Sequence, residues 1–305
     1  MTVVVWHPAC RKHYGGAGHP ERPQRVEAVL DALRAPDLES FITWVEAVPA
    51  TRAPLERVHP AEYLDRLEAM AARGGGTLDA DTFLGPSSWE SVLASAGVAL
   101  GAVELGIKHG TAFGATRPPG HHALATQAMG FCFLNNVVIA ARHAQALGCA
   151  RVLIVDWDVH HGNGTQALVE ADPSIRFVSM HQDPWYPGTG AADERGVGNV
   201  FNVPRPGGLP RATYVRDLLA AVDVALDDSG DRGNWTPDAL LVSAGFDSLA
   251  GDPLGEFTLE PEDIAVWTTA LRERMRGRPV IGVLEGGYRL EGLAAGARAH
   301  VRALA

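Results

Sequence analysis

The densest group of metal-binding residue types lies between residues 156 and 163. Asp156, Asp158 and His160 alternate along this segment, directly after the apolar run 152–155. Side chains two residues apart in an extended chain point to the same side, so Asp158 and His160 can bind one cation together. A strand that ends in an aspartate-rich loop is common, and Asp156 alone could simply cap a turn. By itself, this segment favours a metal site only slightly.

A possible third ligand follows another apolar run. Asp247 comes after the run 239–243 as Asp158 comes after its own. Two carboxylates and one imidazole, with a fourth position open, are a ligand set of catalytic zinc sites. Such an ion polarises a carbonyl and lowers the pKa of bound water. The structural alternative is that Asp247 caps the next helix.

Acid–base and oxyanion-binding groups follow other apolar runs. His121 and His122 could supply a general base and a general acid, and Asp156 and Asn163 are candidates to fix their tautomers. Tyr288 follows two glycines and can bring its hydroxyl close to a developing oxyanion. Histidine pairs also occur in surface loops, and a Gly-Gly-Tyr segment can be a tight turn with a core aromatic. Their joint position at one predicted sheet edge favours the functional interpretation.

Strands and helices alternate along the chain and would position these residues. The predicted strands are 3–6, 111–116, 152–155, 176–180, 239–243 and 280–284. The predicted helices are 26–33, 60–72, 88–106, 136–146, one that begins near Gly164, 214–226 and 264–275. The segment 74–86 is predicted to be a long polar loop. The alternation is typical of a parallel sheet with crossover helices, and we expect one domain over residues 1–305. Each predicted strand from 111–116 onward is followed by a polar cluster, and these clusters are 117–122, 156–163, 181–190, 244–247 and 285–288. They should therefore lie along one sheet edge.

Composition narrows the function classes. The chain has 305 residues, of which 46% are hydrophobic, and a net charge of −10. An acidic surface repels phosphate backbones and mildly favours cationic substrates, so we expect no nucleic-acid partner. No apolar stretch is expected to approach the roughly 20 residues of a membrane span, and the N-terminus lacks the pattern of a signal peptide. Three widely spaced cysteines predict a reducing, cytoplasmic location. No pattern predicts an oligomeric state.

The polar clusters together resemble the zinc-dependent histone deacetylase and acetylpolyamine amidohydrolase family, in particular its class II-like bacterial amidohydrolases. The matching segments are Arg117-Pro-Pro-Gly-His-His-Ala123, Gly130-Phe-Cys-Phe-Leu-Asn-Asn136, Asp156-Trp-Asp-Val-His-His-Gly-Asn-Gly-Thr-Gln166, Pro187-Gly-Thr-Gly190, Gly245-Phe-Asp-Ser-Leu-Ala-Gly-Asp-Pro253 and Glu285-Gly-Gly-Tyr288. His19-Pro-Glu-Arg-Pro-Gln-Arg25 is similar to the family's N-terminal loop. Asn163, where class I members carry aspartate, points to the class II branch.

The resemblance implies the arginase/deacetylase fold, a three-layer α/β/α sandwich around an eight-stranded, mainly parallel sheet. It implies a Zn²⁺ ion on Asp158, His160 and Asp247. It also implies that His122 is the general base and later the acid, that His121 paired with Asp156 is its electrostatic partner, and that Tyr288 binds the oxyanion. A structural K⁺ ion is implied as well, and its ligands would be the side chains of Asp156 and Ser179 and the carbonyls of Asp158, His160 and Met180.

The resemblance also implies the substrate site. Phe131 and Tyr186 match the aromatic walls of an acyl-lysine tunnel, with Gly130 beside them, and Asp81 matches an acid at the rim. Polyamine-specific members place a carboxylate at the tunnel mouth, where this chain has Leu254. An apolar mouth favours acyl-lysine in proteins or peptides as the substrate. The alternatives are an acetylpolyamine or other small-amide hydrolase and a non-hydrolytic acyl-lysine or metal-binding protein. A binuclear manganese enzyme is disfavoured, because segment 156–163 lacks the extra ligands that a second metal needs.

Overall fold

An eight-stranded parallel sheet forms the centre of the computed structural model, which describes residues 1–227 and 235–305. The strands are Thr2–Trp6 (β1), Ile42–Glu46 (β2), Gly76–Asp79 (β3), Thr82–Leu84 (β4), Thr111–Gly114 (β5), Val152–Asp156 (β6), Ile175–Gln182 (β7), Val200–Arg205 (β8), Ala239–Ala244 (β9) and Val280–Leu284 (β10). The order in the sheet is β2-β1-β5-β10-β9-β6-β7-β8, and every neighbouring pair is parallel. Strands β3 and β4 form a separate antiparallel hairpin.

Helices cover both faces of this sheet. They are Gln24–Leu33 (α1), Arg52–Leu55 (α2), Ala61–Ala72 (α3), Ser88–His109 (α4), Asn136–Ala146 (α5), Asn163–Val169 (α6), Arg211–Leu226 (α7), Pro261–Met275 (α8) and Leu290–Leu304 (α9). Helices α4, α5 and α6 contact one another on one face, and α1, α9, α8 and α7 contact one another in that order on the other. Two short 3-10 helices, Pro8–Arg11 and Pro36–Phe41, complete the regular structure of the described residues. The predicted three-layer α/β/α fold is confirmed.

Local sequence explains why these elements form where they do. All five residues of β6 are buried, as expected for a strand covered by helices on both faces. Asn135 caps α5, since its side-chain oxygen accepts the N–H of Val138 at 3.1 Å. Glu260 and Asp263 form a capping box at the start of α8. These signals set the points at which the chain enters and leaves each layer.

The sheet order brings the polar clusters together. Strands β5, β10, β9, β6 and β7 are neighbours, and each is followed at its carboxyl end by one of the clusters. Because all five run in the same direction, these ends lie at one edge of the sheet. The prediction that the clusters share one edge is confirmed.

Several elements differ from the predictions. Residues 76–84, predicted as loop, form the β3–β4 hairpin, in which buried Thr82 and Leu84 flank exposed Phe83. The flanking glycines and aspartates hide this short alternation. Edge strands β2 and β8 and helix α9 were not predicted from periodicity. In α9, Leu293, Ala297 and Val301 recur at helical spacing, but alanine and glycine make the pattern weak.

Helix α4 also departs from the composition-based expectation. By length and composition Ser88–His109 could cross a membrane, so the expectation that no segment reaches this length is wrong. In the protein, 67% of its most apolar window is buried. The helix packs on β1, β5, β10 and α5, as a core helix of a globular domain does.

Candidate active site

Asp158, His160 and Asp247 meet at the carboxyl ends of β6 and β9. All three are buried, and one possible ligand atom from each lies within 4.8 Å of the others. Nδ1 of His160 is 2.9 Å from Oδ1 of Asp158 and 3.3 Å from Oδ2 of Asp247. The three side chains are therefore close enough to bind a single ion.

Backbone groups orient the two carboxylates. Oδ2 of Asp158 accepts the N–H of Gly286 at 2.8 Å, and Oδ1 of Asp247 accepts the N–H of Val159 at 2.9 Å. A Cβ atom at Gly286 would collide with both carboxylates. Glycine at this position lets the loop after β10 lie directly against the cluster.

The electrostatics of the cluster suit a cation. Burial raises the pKa of Asp247 to about 7, and the charge of Asp158 adds to this rise. Burial alone would lower the pKa of His160, but its contacts with the two carboxylates outweigh burial and raise the pKa to about 10. Oδ2 of Asp247 is buried and, apart from the 3.3 Å contact with Nδ1 of His160, has no hydrogen-bond partner among the described residues. Two carboxylates and an imidazole placed in this way match the donor set of a catalytic zinc site.

Two histidines lie beside the cluster, and each has a different partner. Nδ1 of His121 is 2.9 Å from Oδ2 of Asp156, and Nδ1 of His122 is 2.7 Å from Oδ1 of Asn163. The two ring centroids are 4.0 Å apart. Because both partners accept through oxygen, each ring carries its proton on Nδ1. His122 also lines a cavity, and its Nε2, which carries no proton, is available to act on a molecule bound there.

The two rings differ in basicity. Burial alone would lower the pKa of His121, but the charges of Asp158 and Asp156 outweigh burial and raise it to about 10. Burial lowers the pKa of His122 well below its usual value, and the positive charges of His121 and His160 add to this effect. The surroundings of the inner histidine therefore favour its charged form, and those of the outer one favour the neutral form that a general base requires.

Tyr288 lines the same cavity as His122 and His160. Its N–H donates to Oδ2 of Asp252 at 2.7 Å, and the guanidinium of Arg25 lies 4.8 Å from the centroid of its ring. Burial raises the pKa of Tyr288 well above its usual value. The phenol therefore keeps its proton and can donate a hydrogen bond.

A buried ionic network binds the backbone of residues 285–288, the loop that carries Tyr288. Arg25 donates to the carbonyls of Gly287 and Glu285, both at 2.6 Å, and to Glu21 at 3.0 Å. Glu21 also pairs with Arg117 through two hydrogen bonds, of 2.7 and 2.9 Å. These residues lie within the motifs that match the family, but the sequence gives them no role. Their burial, which only the structure shows, requires that their charges be paired.

A cavity of about 270 Å³ opens onto these groups. Its lining residues are Asp81, His122, Gly130, Phe131, His160, Trp185, Tyr186, Pro253, Leu254 and Tyr288. Aromatic and aliphatic side chains form most of the wall, and the polar lining groups are those of Asp81, His122, His160 and Tyr288. This arrangement is typical of a site for an elongated, mainly apolar group with a polar end.

The wall at Phe131 depends on an unusual backbone conformation. Gly130 and Phe131 have φ values of 53° and 67°, in the left-handed region. The N–H of Phe131 donates to the hydroxyl of Thr82 in the β3–β4 hairpin at 3.0 Å. A Cβ atom at Gly130 would collide with His122. Glycine at 130 therefore allows the wall to approach the histidine.

The mouth of the cavity is held by residues that sequence reasoning did not single out. Nε1–H of Trp185 donates to the carbonyl of Leu254 at 2.8 Å. Oδ1 of Asp252 accepts the N–H of the same Leu254 at 3.0 Å. Trp185 was hidden among the aromatic residues of segment 184–187, and Asp252 lay inside a matching motif without an assigned role.

Of the predicted metal, catalytic and substrate residues, those that line the cavity are Asp81, His122, Gly130, Phe131, His160, Tyr186, Leu254 and Tyr288. The others contact His122 or His160 directly or through His121, and they are His121, Asp156, Asp158, Asn163 and Asp247. The roles of all these residues stay predictions. The residues suggested for a monovalent cation lie in or directly after the neighbouring strands β6 and β7. Asp156 and Ser179 are partners in register across β6 and β7, and both are buried, as is Met180. The hydroxyl of Ser179 is 3.0 Å from Nδ1 of His181.

Comparison with known proteins gives a consistent picture. Residues 19–304 match the family model described as the histone deacetylase domain. The chain is 37% identical over 305 residues to a probable deacetylase of Methanothermobacter thermautotrophicus, covering 99% of this chain and 90% of that protein. It is 38% identical over 283 residues to the histone deacetylase-like amidohydrolase of Pseudomonas aeruginosa, covering 89% and 73%.

A solved structure shows the same architecture. The acetylpolyamine aminohydrolase of Burkholderia pseudomallei superposes with a TM-score of 0.86 at 28% sequence identity. The alignment covers 100% of this chain and 98% of that one. The fold and the arrangement of its layers are therefore shared over the whole length.

Proposed function

The chain belongs to the histone deacetylase family, and we propose that it removes acetyl or other acyl groups from the side-chain amine of acyl-lysine in proteins or peptides. Family membership supports an enzyme that acts on amides. The observation that carries the proposal is the convergence on one cavity of a possible metal cluster, a histidine pair and a buried phenol.

The cofactor is part of the proposal. A divalent ion on Asp158, His160 and Asp247, with zinc the best match to the donor set, would polarise the amide carbonyl and activate water. The buried Oδ2 of Asp247, whose one polar contact among the described residues that the geometry shows is with His160, and the close approach of Gly286 are consistent with such an ion.

The chain's own groups account for the proton transfers. His122 donates its Nδ1 proton to Asn163, so its Nε2 can take a proton from water and later give it to the departing amine. His121, charged and paired with Asp156, places a positive charge beside it. The phenol of Tyr288 donates to the carbonyl oxygen as negative charge develops there.

The wall explains how a lysine side chain would be oriented. Phe131 and Tyr186 present aromatic surface to an aliphatic chain, and Asp81 is exposed at the rim, where it can accept a hydrogen bond from a substrate backbone. Leu254 makes the mouth apolar. A second ammonium group on the substrate would find no carboxylate at this position.

Two further assignments belong to the same proposal. We infer a structural K⁺ ion bound by Asp156 and Ser179 with the carbonyls of Asp158, His160 and Met180, supported by the facing positions of Asp156 and Ser179. We also infer that residues 1–305 act as one catalytic domain, supported by the continuous sheet.

The acetylpolyamine alternative is retained because a solved structure of an acetylpolyamine aminohydrolase shares the fold. Steady-state kinetics on an acetyl-lysine peptide and on acetylated polyamines, with the zinc content measured by mass spectrometry, separate the two. We expect a higher kcat/KM on the peptide. A preference for the polyamine would overturn the substrate assignment, and inactivity of the zinc-loaded protein on every amide would favour a non-hydrolytic protein.

The variant Leu254→Glu sharpens this comparison. It places a carboxylate at the mouth without changing the groups at the base. We expect the ratio of kcat/KM for polyamine over peptide to rise by about tenfold or more, since a pair of opposite charges in a partly desolvated site contributes a few kcal/mol at most. Leu254→Gln has a similar shape and no charge, and it should leave this ratio close to that of the wild type.

A further inference from the structure

The buried side chain of Asp252 connects the two loops that complete the cavity. Oδ2 accepts the N–H groups of Tyr288 at 2.7 Å and of Arg289 at 2.9 Å. Oδ1 accepts the N–H of Leu254 at 3.0 Å. One carboxylate thus fixes the backbone of the phenol-bearing loop and of the cavity mouth at the same time. Resting on the proposed function, we propose that Asp252 is a positioning residue that holds the Tyr288 phenol where it can bind the developing oxyanion.

The backbone near Tyr288 needs such a partner. Gly287, the residue before it, has a φ of 117°, which only glycine adopts readily. The N–H of Gly286 is already used by Asp158, and the N–H of Tyr288 points to the opposite loop. A turn with free N–H groups would be costly at a buried position. Asp252 satisfies these groups and thereby selects one conformation of the turn.

The contacts of the Tyr288 ring do not fix how far its hydroxyl extends into the cavity, and the position of the backbone does. The ring faces Arg25 at 4.8 Å on one side and the edge of Phe131 at 5.8 Å on another. These contacts limit rotation, whereas the anchored N–H sets how far the side chain extends. Oxyanion donors act only when their distance to the developing charge is within a few tenths of an ångström of the optimum.

The same carboxylate makes the mouth part of this arrangement. Leu254 is held by Asp252 through its N–H and by Trp185 through its carbonyl. Movement of the mouth would therefore be transmitted to the tyrosine turn through a single side chain. Asp247, at the base of the cavity, comes from the same 245–254 segment, so one loop contacts the base, the phenol turn and the mouth.

A purely structural role is the competing explanation. Arg289 precedes helix α9, and a carboxylate near the N-terminus of a helix stabilises it. Such a role would lower thermal stability without a selective effect on the transition state. The experiment must therefore compare Asp252 with and without the tyrosine hydroxyl.

The test is a double-mutant cycle between Asp252→Asn and Tyr288→Phe in the zinc-loaded protein. Asparagine keeps the size of the side chain but only one acceptor oxygen, so either the tyrosine turn or the mouth loses its partner. We expect kcat to fall by about tenfold or more with KM changed by less than about threefold. In the Tyr288→Phe background, the same substitution should lower kcat by less than about twofold, because the hydroxyl that Asp252 positions is already absent.

A second measurement does not depend on turnover. A trifluoromethyl ketone analogue of acetyl-lysine presents a tetrahedral oxygen when hydrated, and its Kd can be measured by calorimetry. Asp252→Asn should weaken its binding by about tenfold in the wild-type background and by less than about twofold beside Tyr288→Phe. Equal losses in both backgrounds, in kcat or in Kd, would overturn the proposal.

The matched control is Asp263→Asn. Asp263 accepts the N–H of Glu260 at 2.9 Å in the capping box of α8 and lies outside the cavity. It should lower Tm without changing kcat or the Kd of the analogue. If Asp252→Asn does not fold, Asp252→Glu, which keeps the charge and displaces it by one methylene, enters the same cycle. An inactive wild type would refute the proposed function, whereas an active wild type with additive effects would refute only the role of Asp252.

Discussion

The imidazole of His122 donates its Nδ1 proton to the side-chain oxygen of Asn163, 2.7 Å away. Its neighbour His121 has a carboxylate in the corresponding position, Asp156, at 2.9 Å. The two rings are 4.0 Å apart between centroids, yet one is held beside a charge and the other beside a neutral amide. The carboxylate favours the charged form of the His121 ring, whereas the amide leaves the His122 ring neutral.

This pairing predicts the effect of Asn163→Asp. A carboxylate in place of the amide stabilises the charged ring, so it raises the pKa of His122. The acid limb of the kcat/KM–pH profile should move to higher pH by about one unit, with activity lost below the new limb and retained above it. The measurement is a pH profile on one peptide substrate. An unmoved acid limb would place the general base elsewhere.

Tyr288→Phe removes one hydrogen-bond donor and leaves the ring in place. We expect kcat to fall by about 10²–10³-fold with little change in KM. Zinc content should stay at the wild-type value, because the phenol is outside the cluster of possible ligands. Kinetics and metal analysis of the same preparation check both statements, and loss of the metal from this variant would contradict the assignment.

Asp247→Ala should remove the metal. With one carboxylate gone, only Asp158 and His160 remain of the three converging ligands. We expect less than about a tenth of the wild-type zinc stoichiometry and no measurable turnover. Treatment of the wild type with a chelator should give the same loss, reversed by added Zn²⁺. Full activity after removal of all metal would exclude the proposed chemistry.

The burial of His59, which lies outside the candidate active site, predicts that the free energy of unfolding depends on pH. It is buried, its Nδ1 is 3.1 Å from the carbonyl of Ala125, and its Nε2 accepts the N–H of Asn135 at 2.9 Å. Burial lowers its pKa from 6.5 to about 4, against the opposing effect of its backbone hydrogen bonds. The unfolded chain therefore binds an extra proton between these values. The stabilisation is complete above pH 6.5 and is lost as the pH falls towards 4, by about 3 kcal/mol at most.

The test is urea unfolding of the wild type and of His59→Gln at pH 7.5, 6 and 5. The variant should be less stable at pH 7.5. Because glutamine does not titrate, its free energy of unfolding should fall less steeply on acidification than that of the wild type, by a slope that corresponds to about one proton. His109→Gln changes a solvent-facing histidine at the end of α4 and is the control. Identical pH slopes for wild type and His59→Gln would show that His59 does not contribute.

How much of the site the sequence predicts depends on how far apart in the sequence the interacting residues are. Asp158 and His160 are two residues apart on a chain leaving a buried strand, so local geometry alone placed them together. The convergence of Asp247 and Tyr288 with them follows from the parallel sheet, in which five strands end at one edge. Such inferences need only the direction of each strand and the position of its last apolar residue.

The remaining features depend on contacts between distant segments. Arg25 reaches the tyrosine turn from the first helix, and Asp252 joins two loops whose separation in space no local pattern encodes. Trp185 is one aromatic among several until its indole is seen against Leu254. The sequence does not predict the hairpin at 76–84, because Gly74, Gly75 and Gly76, together with Asp79 and Asp81, outweigh a strand of only three residues.

That hairpin has a consequence for how the molecule could diversify. It contributes Asp81 at the rim and, through Thr82, holds the backbone of Phe131, yet it pairs with no strand of the main sheet. The hairpin thus supports part of the wall that would contact a substrate in the proposed function, whereas the possible metal ligands follow strands of the main sheet. Replacement of the β3–β4 hairpin in related proteins would change substrate selectivity and leave the proposed catalytic residues in place.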